Sequence, residues 1–166
     1  MRGEWPDLPR LVILAAPHSS AWDGLWGLAA KIAMGADVKF LAKAELFRGI
    51  QGWLLGPLLR RLGAIPVDRG SPTGLVTDVA GRFAASDKFW LVLAPEGTRR
   101  RVERWKTGFW RIARAADVPV VCAYFHYPER VIGIGECMAL SDDIDADMTR
   151  IRAYYRPWIG KNRGTT

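Results

Sequence analysis

This 166-residue chain has only two histidines, only two cysteines and no long apolar run, and each scarcity removes a class of protein. Cys122 and Cys137 stand in unrelated contexts without metal-like or redox-like spacing, so they read as buried or incidental thiols. His18 and His126 have no accompanying cluster of ligands, which argues against a metal site. No stretch reaches the eighteen apolar residues of a membrane-spanning helix. The opening MRGEWPDLPR lacks the basic start and apolar centre of a secretory signal, so a cytoplasmic location is expected. Without an internal repeat, a linker or a low-complexity segment, residues 1–166 read as a single domain, with GKNRGTT at the end expected to fray.

What is present is basic charge and tryptophan. Lysines and arginines number 24 against 17 acidic residues, a formal charge of +7, which points to anionic partners: phosphate esters, an anionic membrane or nucleic acid. Eight tryptophans, several beside leucine and arginine, suit the lipid headgroup layer as well as they suit a core. Arginines interleaved with aromatics can also bind nucleic acid by charge and stacking, but no nucleic-acid-binding motif accompanies them.

Hydrophobic pattern and breakers predict strands at Leu11–Ala16, Val38–Ala42, Ile65–Val67, Phe89–Ala94 and Val118–Tyr124, with a short extended piece around Val131 and Ile132. Helices are predicted at Ala21–Met34, Gly52–Leu62, Thr73–Ser86, Thr107–Ala116 and Asp142–Tyr155. Their alternation implies an α/β sandwich, a mixed and largely parallel sheet covered by helices on both faces. Functional loops should then gather at strand ends, where HSSAWD (His18 to Asp23) and PEGTRR (from Pro95) both lie.

His18 and Asp23 are five positions apart, which on a regular helix turns side chains about 140 degrees away from each other. They can meet if His18 lies in the turn entering the helix and Asp23 in its first turn. Asp23 would then hold one ring nitrogen, leaving the other to take a proton from a substrate hydroxyl. A plainer reading has Ser19 or Ser20 capping the helix, Asp23 sitting favourably at its positive end, and His18 in a loop. Neither serine sits in a glycine-flanked elbow of the kind serine hydrolases use.

PEGTRR combines Gly97, which lets backbone approach a ligand, the Thr98 hydroxyl, and Arg99 with Arg100, whose guanidinium forks match phosphate. Glu96 would repel a phosphate unless it orients an arginine or hydrogen-bonds an acceptor hydroxyl. Arg69, just past a short strand, and Lys106, at the start of a helix, add cations that convergence of the loops would bring to His18. Taken singly, each also reads as an ordinary turn or surface residue.

Together these segments resemble the PlsC-like family of lysophosphatidic acid and glycerol-3-phosphate acyltransferases. The family's first motif is a histidine, four residues and an aspartate, as in His18 to Asp23. Its second is a glycine leading through a strand to arginine, as in GAIPVDR from Gly63 to Arg69. The third is PEGT-R, here Pro95 to Arg99. The fourth is an apolar, proline-containing strand, here Val118 to Ala123, with Cys122 where a second proline is common. The likeness covers about Leu11 to Tyr124. It implies His18 as general base, Asp23 as its orienting partner, and Arg69, Glu96, Gly97, Thr98 and Arg99 as holders of substrate phosphates, beside which Lys106 is expected as a further phosphate-binding cation. The implied donor is acyl-CoA or acyl carrier protein, with no bound cofactor and no covalent acyl-enzyme. The implied acceptor is lysophosphatidate or a related alcohol.

A fatty acyl chain needs an apolar berth. FRGIQGWLLGPLLRRL, from Phe47 to Leu62, sets Trp53, Leu54, Leu55 and Leu58 beside Arg48, Arg60 and Arg61, the composition of an interfacial element on an anionic membrane. It also fits a helix covering the sheet. Trp22 and Trp26 either line the acyl path or fill the core. Only seventeen residues precede His18, where relatives often carry a further hydrophobic region, so a peripherally attached enzyme is expected. Two other functions remain open to the same residues: hydrolysis of a thioester or ester by water activated at His18 and Asp23, and a basic binding module without catalysis.

Overall fold

Runs of branched and aromatic residues closed by proline, glycine or aspartate favour extended backbone, and the computed structural model builds six strands from them. It describes residues 2–68 and 72–162. Along the chain lie β1 (Arg10–Ala16), α1 (Ala21–Ala33), β2 (Val38–Lys43), a short 3-10 turn (Ala44–Phe47), α2 (Gly49–Arg61) and β3 (Ala64–Val67), followed by α3 (Pro72–Ala84) and β4 (Phe89–Leu93). The remainder is α4 (Gly108–Ala115), β5 (Val120–His126), β6 (Val131–Met138) and α5 (Ile144–Tyr155).

One six-stranded sheet runs in the order β3-β2-β4-β1-β5-β6. Every pairing is parallel except that of β5 with β6, as a largely parallel mixed sheet requires. The connections from β1 to β2 and from β2 to β3 step toward one edge, whereas those from β3 to β4 and β4 to β5 step back. With right-handed crossovers, this places α1 and α2 on one face and α3 and α4 on the other.

The α3–α4 face holds the larger core. Val12 and Leu14 of β1 pack there with Val79 and Phe83 of α3, Phe109 and Ile112 of α4, and Ile151 and Tyr155 of α5. The Tyr155 hydroxyl is shared between the carbonyl oxygens of Leu14 at 2.6 Å and Ala123 at 3.1 Å, so its polar end is satisfied inside the core. Burial pushes its pKa well above the ordinary phenol value.

The opposite face carries Leu11, Ile13, Val38, Trp90, Val121, Ala123 and Ile134, covered in part by Trp5 and Leu8 from the N-terminal segment. Its two helices are turned inside out. In α2 the residues at helical spacing on one side, Ile50, Trp53, Leu54 and Leu58, are exposed, while Gly52 and Gly56 face Phe47. In α1 the stripe Trp22, Leu25, Trp26 and Ile32 is exposed likewise. Trp22 and Trp26 therefore fill no core; they stack on each other at the surface, with ring centroids 6.5 Å apart.

Three expectations change. The extended piece at Val131 and Ile132 is an eight-residue strand; Gly133 and Gly135 hide its length in the sequence and exist because Tyr124 and Tyr154 lie against them. Helix α2 starts at Gly49 and continues through Pro57. The tail is anchored as far as Asn162, whose amides bond Ser19; the remainder of GKNRGTT lies outside the described residues.

Candidate active site

The loops that follow β1 and β4 leave the sheet toward opposite faces. Between the carboxyl ends of two such strands an open α/β sheet has its natural ligand crevice. His18 follows β1 and Glu96 follows β4, and they touch: the His18 amide donates to Glu96 Oε2 at 2.6 Å. Glu96 is buried, so this carboxylate ties the two loops together.

Ser20 caps α1, its side chain accepting the Trp22 amide at 3.3 Å, and Asp23 completes a capping box. Asp23 Oδ2 accepts the amides of Ser19 at 2.7 Å and Ser20 at 2.8 Å and lies 3.3 Å from His18 Nδ1. HSSAWD holds the helix cap and the His18–Asp23 contact at the same time. Because His18 precedes the cap, the helical offset that would separate residues five apart does not apply. The second carboxylate oxygen, Oδ1, accepts the Tyr127 hydroxyl at 2.6 Å. Burial alone would raise the pKa of Asp23, but hydrogen bonds from His18, Tyr127, Ser20 and Ser19 outweigh it and hold the carboxyl below its ordinary value. An ionised partner thus faces the imidazole.

After β4, Gly97 takes a left-handed φ of 64°, and a Cβ there would fall 2.7 Å from Lys106 Cδ. Only glycine permits both the turn and this contact. The Lys106 amide donates to Pro95 O at 2.8 Å, fastening the basic segment before α4 to PEGT. His18, Asp23, Gly97, Thr98, Arg99 and Lys106 all line one cavity of about 1550 Å³. Arg69 lies outside the described residues.

The same cavity extends beneath α1 as an apolar groove lined by Ile13, Gly24, Gly27, Leu28, Phe125 and Ile134. A Cβ on Gly24 would meet nothing within 4 Å, and one on Gly27 would lie 3.7 Å from the Phe125 ring. Two glycines on the inner side of α1 thus keep the groove open. Trp22, Trp53, Leu54, Leu55 and Leu58 are exposed and do not line it.

Sequence reasoning missed the groups that hold the loop from behind. Asn162 Nδ2 donates to Ser19 O at 2.7 Å and its amide to Ser19 Oγ at 3.2 Å. The tail reaches this point because the Ile159 amide donates to His126 Nδ1 at 3.2 Å and Trp158 stacks on Tyr124 with centroids 3.7 Å apart. Tyr127 and Asn162 lie 104 and 143 residues from their partners, and no local pattern announces such contacts. Among the described residues, no group of three or more histidine, cysteine, aspartate or glutamate side chains could hold a metal ion.

Comparison with known proteins bears on the same segment. The family model described as Acyltransferase matches residues 7–126. A Streptococcus pneumoniae (strain ATCC BAA-255 / R6) protein named 1-acyl-sn-glycerol-3-phosphate acyltransferase is 29% identical over 133 residues, covering 78% of this chain and 47% of that protein. The chain thus spans about half the length of that curated relative. No solved structure matches it. A matched segment that runs from before β1 to the end of β5, and takes in both loops of the crevice, leads to one conclusion: the chain belongs to the acyltransferase family.

Proposed function

We propose that this protein transfers a fatty acyl group from a thioester donor, acyl-CoA or acyl carrier protein, to the free hydroxyl of lysophosphatidate. The observation that carries the reading is the shared cavity: a histidine–carboxylate dyad, a basic loop and an apolar groove open onto one space. With Asp23 engaging Nδ1 of His18, Nε2 is the nitrogen that takes the acceptor's hydroxyl proton. The resulting oxygen nucleophile attacks the thioester carbonyl, and the negative tetrahedral intermediate collapses with cleavage of the C–S bond. The imidazolium returns its proton to the departing thiolate. Arg99 and Lys106, with the Thr98 hydroxyl, hold phosphate, and the groove under α1 receives the acyl chain.

The outward stripes of α1 and α2, with Arg48, Arg60 and Arg61 beside the second, support reaction at an anionic lipid surface. No helix among the described residues is long and apolar enough to cross a membrane. Seating by a surface layer agrees with that. Helix α1 carries both Trp22 at the exposed side and Asp23 at the dyad, so the lipid-facing layer and the chemistry share one element.

The test is acyl transfer from acyl-CoA and acyl carrier protein to lysophosphatidate and glycerol 3-phosphate, scored by mass, with wild type beside His18→Ala. Acylated product from wild type and a loss of at least about a thousandfold in folded His18→Ala are expected, since a general base and the orientation it imposes are removed together. Free fatty acid as the sole product would replace transfer by hydrolysis. Turnover that survives His18→Ala would remove the dyad from the chemistry.

A further inference from the structure

Asp23 is bonded at both oxygens, and the two sets of partners differ in origin. Oδ2 serves its own loop: the amides of Ser19 and Ser20, and His18 Nδ1. Oδ1 accepts from a residue on another element, the hydroxyl of Tyr127 at 2.6 Å. Tyr127 directly follows β5 and falls one residue beyond the segment matched by the family model. Its backbone is held on both sides, its amide donating to Ile159 O at 2.9 Å and its carbonyl accepting the Arg130 amide at 3.1 Å. The phenol is therefore a fixed donor presented to the carboxylate.

A carboxylate bonded through one oxygen can still swing about its terminal torsion, which is broad and roughly two-fold. Bonded at both, it has one plane. We infer that Tyr127 is a positioning residue for the dyad, acting through Asp23: by holding Oδ1 it keeps Oδ2 aimed at His18 Nδ1 and so keeps the imidazole protonated at Nδ1, with Nε2 as the proton acceptor. Tyr127 touches no reacting atom in this scheme. The inference rests on the proposed general-base role of His18 for its effect on rate, but its effect on the imidazole tautomer does not depend on that role.

The protein suits a direct test because it has only two histidines, and their surroundings call for opposite tautomers. His18 faces a carboxylate through Nδ1, whereas His126 accepts an amide proton at Nδ1 and must carry its own proton on Nε2. Imidazole 15N spectra taken with both rings neutral should thus contain one ring of each kind. Tyr127→Phe removes one hydroxyl and keeps the ring. In that variant the His18 signals should move toward a mixture of tautomers while those of His126 stay in place. With donor and lysophosphatidate, kcat should fall about ten- to a hundredfold, the size expected for one hydrogen bond to a charged group, with both KM values within about twofold. In an Asp23→Asn background the same substitution should cost less than about twofold, because no carboxylate remains to be oriented.

Unchanged His18 signals in Tyr127→Phe would overturn the inference, whether or not the protein transfers acyl groups. So would a full cost in the Asp23→Asn background, or a loss confined to KM. If the Tyr127→Phe chain unfolds, Tyr127→Met, which keeps apolar bulk without a donor, carries the same test: a His18 ring still held in the single Nδ1-protonated tautomer would equally overturn it. A wild type with the expected tautomers but no acyl transfer would remove the proposed activity and leave the role of Tyr127 standing.

Discussion

The two faces of one sheet are finished in opposite ways. On the α3–α4 face the helices turn their large side chains inward, and Val79, Phe83, Phe109, Ile112, Ile151 and Tyr155 are all sealed from solvent. On the α1–α2 face the helices turn glycines inward and large side chains outward, leaving Ile50 81% and Trp53 78% exposed. The strands between them are shared, so backbone hydrogen bonding does not explain the contrast. One face holds the fold together by burial, and the other gives up burial to keep a groove open beneath it and an apolar layer above it.

The largest effect that would break this contrast is in stability. Phe83→Ala on the sealed face should cost about 3–5 kcal/mol, whereas Trp53→Ala should stay within about 0.5 kcal/mol, as for a surface site; urea denaturation measures both. A comparable cost at Trp53 would mean that the outward stripe is packed against something within the fold. Next in size is lipid partition. Replacing Trp53 and Leu54 together by serine should weaken binding to vesicles containing anionic lipid more than tenfold, since even one large apolar side chain is worth about 1.5 kcal/mol on transfer from water. Sedimentation with vesicles reads this, and unchanged binding would detach the α2 stripe from the lipid surface.

The smallest effect concerns the edge where the faces meet. Asp23 has a folded pKa below its unfolded value, so the stability it contributes is fully present above about pH 4 and is lost as the pH falls through the folded pKa. The difference in unfolding free energy between wild type and Asp23→Asn should therefore be flat between about pH 5 and 7 and narrow below about pH 4. A gap that widened in acid would contradict the network around this carboxylate.

How much of this could be read in the residues follows the range of the interactions. The alternation of strands and helices, the mixed parallel sheet and the meeting of HSSAWD with PEGTRR rest on local periodicity and breakers, and the structure has them. Glu96 was legible as an oddity beside arginines. Its reason, a hydrogen bond to the His18 amide, spans 78 residues and was not. The apolar stripes of α1 and α2 are visible as helical spacing, but spacing does not say whether a stripe faces a sheet or the surroundings. That depends on Gly24, Gly27, Gly52 and Gly56 supplying the inner side. The Tyr127 and Asn162 contacts left no trace at all, since a lone tyrosine and a lone asparagine match no pattern.

The grip of Asn162 on Ser19 has a consequence for the order in which the molecule comes into being. The loop that carries His18 and Asp23 is closed by a side chain 143 residues later in the chain. During synthesis the His18–Asp23 pair therefore waits for the whole intervening segment before the clasp that completes its loop can form. A loop that precedes five of the six strands is closed by a residue that follows all of them.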